Sequence, residues 1–293
     1  MVIIISIIFF LFPIFSFPLI ILAFLLDKNY KHKIIYAVLL ALLAAILLYY
    51  FIPDSSKDLY RYYTIMGRLS NLSLNDFFIY MSGRTEPLAN IYFYIFAKTG
   101  NNNLIMIVTT LISYGLIYYV IFNHQKVAKL SNLDFNVIFL FILSVLYLVD
   151  DITGIRFCIA RLLVFLALYL DLFKGKKNTW IILLYLISML IHTSCIVFVL
   201  ARLFMKISKN KFNICTFLFL LLIAMSPQLI ITASSYLSNV PFLSSLSAKA
   251  QEYLNLNAGL YSMFVLQIII AIVLYIILLY AKTKKHCYSF LFT

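Results

Sequence analysis

"WIILLYLISMLIHTSCIVFVLARLF", Trp180 to Phe204, is the stretch on which the fold turns. Twenty-five residues at about 1.5 Å each would cross a bilayer core of about 30 Å once, tilted. A histidine, His192, nevertheless stands at its centre. Lysines crowd both flanks, with "KGKK" at 174–177 and "KISKNK" at 206–211. Basic residues in short loops favour the cytoplasmic side, so both ends belong inside. A single straight span violates that rule. A re-entrant hairpin of two half-helices, Trp180–Ile191 and about Ser194–Phe204, satisfies it and sets "HTS" at the apex, where irregular backbone is tolerated only against protein or a water-filled cavity. An ionisable group inside a membrane segment is a functional candidate by default. The structural alternative is a plain span with His192 hydrogen-bonded to a neighbouring helix.

Composition decides the medium. The chain is 65% hydrophobic and 11% charged, with a mean hydropathy of +1.04; a soluble domain carries about 25% charged residues. These values exclude a soluble enzyme and predict an all-α, polytopic integral membrane helical bundle. Apolar runs of spanning length lie at about 5–26, 34–52, 104–122, 135–149, 157–173, 213–231 and 261–281, about seven spans beside the hairpin. The piece Leu88–Ala97, after Pro87, is too short to span and reads as re-entrant or as part of an amphipathic helix. The first 26 residues lack a basic leader and a small-residue cleavage site, and read as a retained membrane segment. The longest polar stretch, about 53–87, is too short to bury a core of its own, so the expectation is one transmembrane domain over 1–293. Cys158, Cys195, Cys215 and Cys287 have no paired spacing and indicate neither a disulfide framework nor a zinc site. No metal, cofactor or nucleic-acid partner is expected; the lipid bilayer is the one certain surrounding.

With that topology the two basic residue types separate. Fourteen of the seventeen lysines fall on the cytoplasmic side, whereas five of the six arginines, Arg61, Arg68, Arg84, Arg156 and Arg161, fall on the opposite side or in the outer half of the membrane. Arginine kept against the orientation bias points to a planar, bidentate partner such as phosphate or carboxylate. Asp54, Asp58, Asp76, Glu86, Asp150 and Asp151 share that side, and structural salt bridges are the alternative use.

Arg156 and Arg161 open the apolar helix "IRFCIARLLVFLALY" five residues apart, roughly 140° around the axis at 100° per residue. They do not form one clamp. Arg156 lies near the interface, within snorkelling reach, while the deeper Arg161 requires a buried partner or an aqueous cavity. Earlier in the chain, Asp58, Arg61 and Tyr62 fall within one helical turn. The aromatic residues around them suit an interfacial belt or sugar stacking. Glu86 precedes Pro87, which fits the first turn of a helix, so Glu86 stands at a positive helix end and stays ionised.

The ordered set "DLYRYY", "EPLANIYFYIFAKTGNN", "IRFCIARLLVFLALY" and "LIHTS" resembles the EpsG family of Wzy-like polymerases, bacterial membrane enzymes that polymerise O-antigen or exopolysaccharide repeat units. The family pattern falls here on Asp58, Arg61 and Tyr62, on Glu86 and Pro87, on Arg156 and Ala160, and on His192 and Ser194, covering about 54–205. Phe157 stands where the family usually has glutamine, and Ile155 replaces the preceding phenylalanine. Members tend to continue with further membrane segments past the point where this chain ends, so the resemblance implies a short member or a truncated one.

The resemblance implies a glycosyltransferase of the bacterial inner membrane with its active site facing the periplasm. It would transfer a growing glycan from undecaprenyl diphosphate to a lipid-linked repeat unit, alongside a chain-length regulator and a flippase. Arg61, Arg84, Arg156 and Arg161, with Tyr62 and Ser194, are the expected binding residues for diphosphate and glycan. Asp58, Glu86 and His192 are the candidate bases; a neutral imidazole is better matched to proton abstraction near pH 7 than a carboxylate whose pKa is lowered by arginines. A flippase would also place cations in a membrane cavity, though open to both sides. An O-antigen ligase or GT-C type glycosyltransferase would share most of these features, and a structural subunit would need no chemistry.

Overall fold

The structure, a computed structural model, describes residues 1–55, 58–82, 84–145, 154–173, 179–196, 198–200 and 202. Every regular element among them is helical: α1 (Val2–Leu11), α2 (Pro13–Leu26), α3 (Tyr30–Tyr49), α4 (Asp58–Leu69), α5 (Leu74–Met81), α6 (Pro87–Ala97), α7 (Leu104–Ala128), α8 (Asn132–Val145), α9 (Ile155–Leu168, continued by a π-turn at Tyr169–Phe173) and α10 (Thr179–Ile191). The chain divides into two compact units, Met1–Ile196 and Val197–Thr293, and all these helices belong to the first. The spans expected at 213–231 and 261–281 lie outside the described residues.

The run expected to form one helix over 5–26 is broken. Phe12 leaves the helical region at φ −140° and ψ 72°, because the residue before a proline is sterically pushed toward extended backbone and Pro13 has no N–H to continue the ladder. Pro13 then opens α2 at its first position, and α1 packs against α2. The helices α3 and α7 are each long and apolar enough to cross a membrane. The described unit is that of an all-helical membrane protein.

Between lipid-exposed helices the hydrophobic effect offers little, so close packing and polar contacts must hold the bundle. Buried Ala37, Ala41, Ala44 and Ala45 lie on one side of α3 and let its neighbours α2 and α7 approach. The α7 helix also packs on α9, and hydroxyls tie these layers. Tyr92 of α6 bonds Thr109 of α7 at 3.0 Å, and Ser113 of α7 bonds the Cys158 thiol of α9 at 3.3 Å. At the lysine-rich end of α3, the buried Lys33 ammonium donates to Asn136 of α8 and sits 4.8 Å from the Phe24 ring centroid and 5.3 Å from that of Phe135. Asn136 in turn donates to the Leu25 carbonyl at 3.0 Å.

The polar stretch 53–87 forms two short amphipathic helices. In α4, Leu59, Tyr62, Met66 and Leu69 are buried, a three-and-four spacing that gives one inward face, and α4 packs on α6. Several aromatics of this stretch are packing residues: Tyr62 stacks on Phe93 at 4.9 Å, and Phe77 of α5 on Tyr94 at 4.0 Å. Ser73 caps α5 and Ser131 caps α8, each hydroxyl accepting from the backbone of an aspartate three residues on, Asp76 and Asp134. The α6 helix packs on α10 as well as α4 and so carries its N-terminus to where α9 and α10 begin and end.

Candidate functional site

Glu86 is the N-cap of α6, with Pro87 at the first helical position. Its side chain does not cap its own helix. It is 4% exposed and serves as the common acceptor for two other helices. One carboxylate oxygen, Oε2, accepts from Arg156 Nη1. The other, Oε1, is 2.8 Å from His192 Nδ1, and also accepts from the Thr193 backbone N–H at 3.3 Å and the Thr193 hydroxyl at 3.4 Å. The N-terminus of α6 adds positive potential to the same side of the carboxylate. A buried carboxylate requires partners of this kind.

Arg156 reaches Glu86 from the first turn of α9. Its Nε donates to the Tyr62 hydroxyl at 3.2 Å, and the guanidinium lies 5.1 Å from the Tyr62 ring centroid. Tyr62 is itself held in α4 by stacking on Phe93 of α6. Four segments thus meet at one point: α4 supplies Tyr62, the start of α6 Glu86, α9 Arg156, and the end of α10 His192. Arg156 was expected within snorkelling reach of the interface. The structure instead turns it inward, because Glu86 and Tyr62 offer it two acceptors.

His192 terminates α10. Its backbone, at φ −148° and ψ 113°, is extended, its N–H still bonds the Ser188 carbonyl at 2.9 Å, and Thr193–Cys195 form a single 3₁₀ turn that Cys195 N–H closes onto the His192 carbonyl at 3.0 Å. The helix therefore breaks at "HTS", and helical residues recur at Ile196 and 198–200. The first arm of the expected hairpin and its break lie within the described residues. Of the expected return arm, positions 197, 201, 203 and 204 lie outside them.

Several expected site residues fall elsewhere. Asp58 and Arg61 pair with each other at 3.7 Å on the exposed face of α4, since 59, 62, 66 and 69 take its inward face. The Arg84 guanidinium lies 4.4 Å from the Tyr80 ring centroid, and Ser194 is exposed on the 3₁₀ turn. Arg161 sits one turn below Phe157 with its guanidinium 5.3 Å from that ring's centroid. Two residues enter that sequence reasoning did not nominate. Thr193 contacts Glu86 twice, and Phe157 meets the His192 ring nearly at right angles, centroids 5.7 Å apart. Thr193 lay inside the quoted "HTS", and its signal was the helix break itself.

Among the described residues no three His, Cys, Asp or Glu side chains are grouped to hold a metal ion. A sequence model of the EpsG family matches residues 35–293, well over half of the chain. No curated protein and no solved structure matches the chain.

Proposed function

The chain belongs to the EpsG family, and on that premise we propose that it is a polysaccharide polymerase of the bacterial inner membrane. It transfers a growing glycan from undecaprenyl diphosphate to a lipid-linked repeat unit at the periplasmic face. The observation that carries this reading is the hydrogen bond between Glu86 and His192 beside Arg156.

A carboxylate at Nδ1 accepts the imidazole N–H, which sets the neutral tautomer with Nε2 as the ring nitrogen able to take a proton. In the transfer, the acceptor sugar's hydroxyl oxygen forms a bond to the anomeric carbon of the growing glycan, and its proton passes to His192 Nε2. The bond from that carbon to the diphosphate oxygen breaks, and the electron pair leaves with undecaprenyl diphosphate. Glu86 then stabilises the imidazolium and holds the ring in place. Arg161, with Arg61 and Arg84, neutralises charge on the diphosphate and glycan, while Arg156 orients Glu86. This assigns the base to His192 and gives Glu86 the positioning role; the exposed Asp58, paired with Arg61, has neither.

The test is carbohydrate analysis of a host strain from which the chain is deleted and restored. Loss of a polymerase leaves lipid A–core capped with one repeat unit. Loss of a flippase leaves none, and loss of a ligase leaves polymer on the carrier lipid; either of those patterns would replace this reading.

A further inference from the structure

Glu86 Oε1 receives three donors, and two of them come from a residue to which the proposed transfer gives no task. An ionised carboxylate oxygen presents two lone-pair directions. His192 Nδ1, at 2.8 Å, takes one. The backbone N–H of Thr193 at 3.3 Å and its hydroxyl at 3.4 Å converge on the same atom, and at these longer distances they form a shared, weaker contact. The carboxylate's other oxygen is committed to Arg156 of α9. Thr193 follows His192 directly, where α10 stops and the 3₁₀ turn begins. One acceptor atom therefore ties down the His192 ring together with the main chain and side chain of the next residue. An imidazole turned over about its χ2 bond would put a C–H, not Nδ1, against Oε1, and a carboxylate free to rotate would follow it. Two extra donors on Oε1, anchored in the backbone at the break, oppose both movements.

We infer that Thr193 is a positioning residue for the transfer: through its hydroxyl and N–H it fixes Glu86 Oε1 against His192 Nδ1, and so holds the imidazole in the tautomer and orientation that leave Nε2 to the acceptor hydroxyl. In this role it touches neither sugar nor diphosphate, and its effect passes through Glu86 and His192. A threonine that only closed the turn at the end of α10 would act on stability and leave the ring alone. Valine fills the volume of threonine without the hydroxyl, and serine supplies the hydroxyl without the methyl, so the two substitutions separate these roles. This inference rests on the polymerase reading above.

The experiment uses the full chain in lipid nanodiscs with the host's own lipid-linked repeat unit as donor and acceptor. Initial elongation rates per folded molecule are measured against acceptor concentration for wild type, Thr193→Val and Thr193→Ser. The valine variant is expected to lower kcat about tenfold with KM within about twofold, because a displaced base slows the chemistry without loosening the substrate; the serine variant should stay near wild type. An unchanged kcat in Thr193→Val, a rise in KM alone, or a serine variant as slow as the valine one would overturn the role. Should the valine variant fail to fold in the membrane, Thr193→Ala carries the same comparison. A second readout needs no turnover: solid-state NMR of the histidine ring nitrogens, with the His192 signals assigned by their absence in His192→Gln. One tautomer, protonated at Nδ1, in wild type and a mixture of both in Thr193→Val support the positioning role; the same tautomer in both overturns it. Wild type that fails to elongate while the valine substitution changes the tautomer overturns the polymerase reading and leaves the positioning of His192 standing, whereas absence of both effects removes both.

Discussion

Glu86 and Arg156, 70 residues apart in the sequence, are joined by a charge-assisted hydrogen bond inside the bundle, with the carboxylate 4% and the guanidinium 24% exposed. Breaking a pair of this kind by removing one partner leaves the other charge in a poor medium. Glu86→Gln should therefore destabilise the protein by about 2–4 kcal/mol. Detergent-solubilised unfolding followed by size exclusion measures it. The double variant Glu86→Gln with Arg156→Gln should recover at least about 1 kcal/mol relative to additivity; strictly additive losses would mean the two charges are not coupled.

His192→Gln keeps a hydrogen-bonding side chain for Glu86 but cannot take up a proton at neutral pH. Polymer formation should fall by about 100-fold or more, at equal membrane expression and with unchanged thermal stability. Normal polymer from this variant would return His192 to structure and pass the search for the base to whichever of Glu86→Gln and Asp58→Asn is inactive.

Charge type can be separated from charge at the two α9 arginines. In Arg156 the fork spans Glu86 and the Tyr62 hydroxyl at once, which a single ammonium cannot copy. Arg156→Lys should lose most polymerisation, and Arg161→Lys likewise if it grips a diphosphate oxygen pair. Normal polymer length from both lysine variants, while the alanine variants fold and fail, would reduce their role to point charge.

Sidedness is tested by single cysteines at Lys176 and Lys209, on the two lysine-rich flanks of the α10 segment. Both should react only with a reagent supplied from the cytoplasm. Labelling of one from each side would make the segment an ordinary span broken at His192.

The buried lysine at the other end of the bundle makes an independent prediction about stability. Asn136→Ala removes the acceptor of Lys33 and should cost about 2–3 kcal/mol by leaving a buried cation short of a partner. Lys33→Met, which removes the charge and still fills the space between Phe24 and Phe135, should cost less, and adding it to Asn136→Ala should restore part of the loss. A lysine variant worse than the asparagine variant would show that the cation–ring contacts outweigh the hydrogen bond.

By itself the sequence determined the medium, the helical class and the approximate place of many elements. Long apolar runs dictate helices wherever water cannot satisfy the backbone, which is why 34–52 and 104–122 reappear as α3 and α7 with shifted ends. Pro87 announced the start of α6, because a proline at the first helical position is local chemistry. His192 was legible as a costly residue in a costly place, Glu86 as a carboxylate at a helix start, and Arg156 as an arginine kept against the orientation bias. Which of them meet was decided only by the tertiary structure. The inward face of α4 selected Tyr62 and turned Asp58 and Arg61 to the surface, the packing of α6 against α10 brought Glu86 to the break at His192, and the first turn of α9 aimed Arg156 at Glu86 and Tyr62. A side chain's partner across 70 or 106 residues depends on how helices cross, and helix crossing is set by the summed fit of many small contacts that no local stretch of sequence contains.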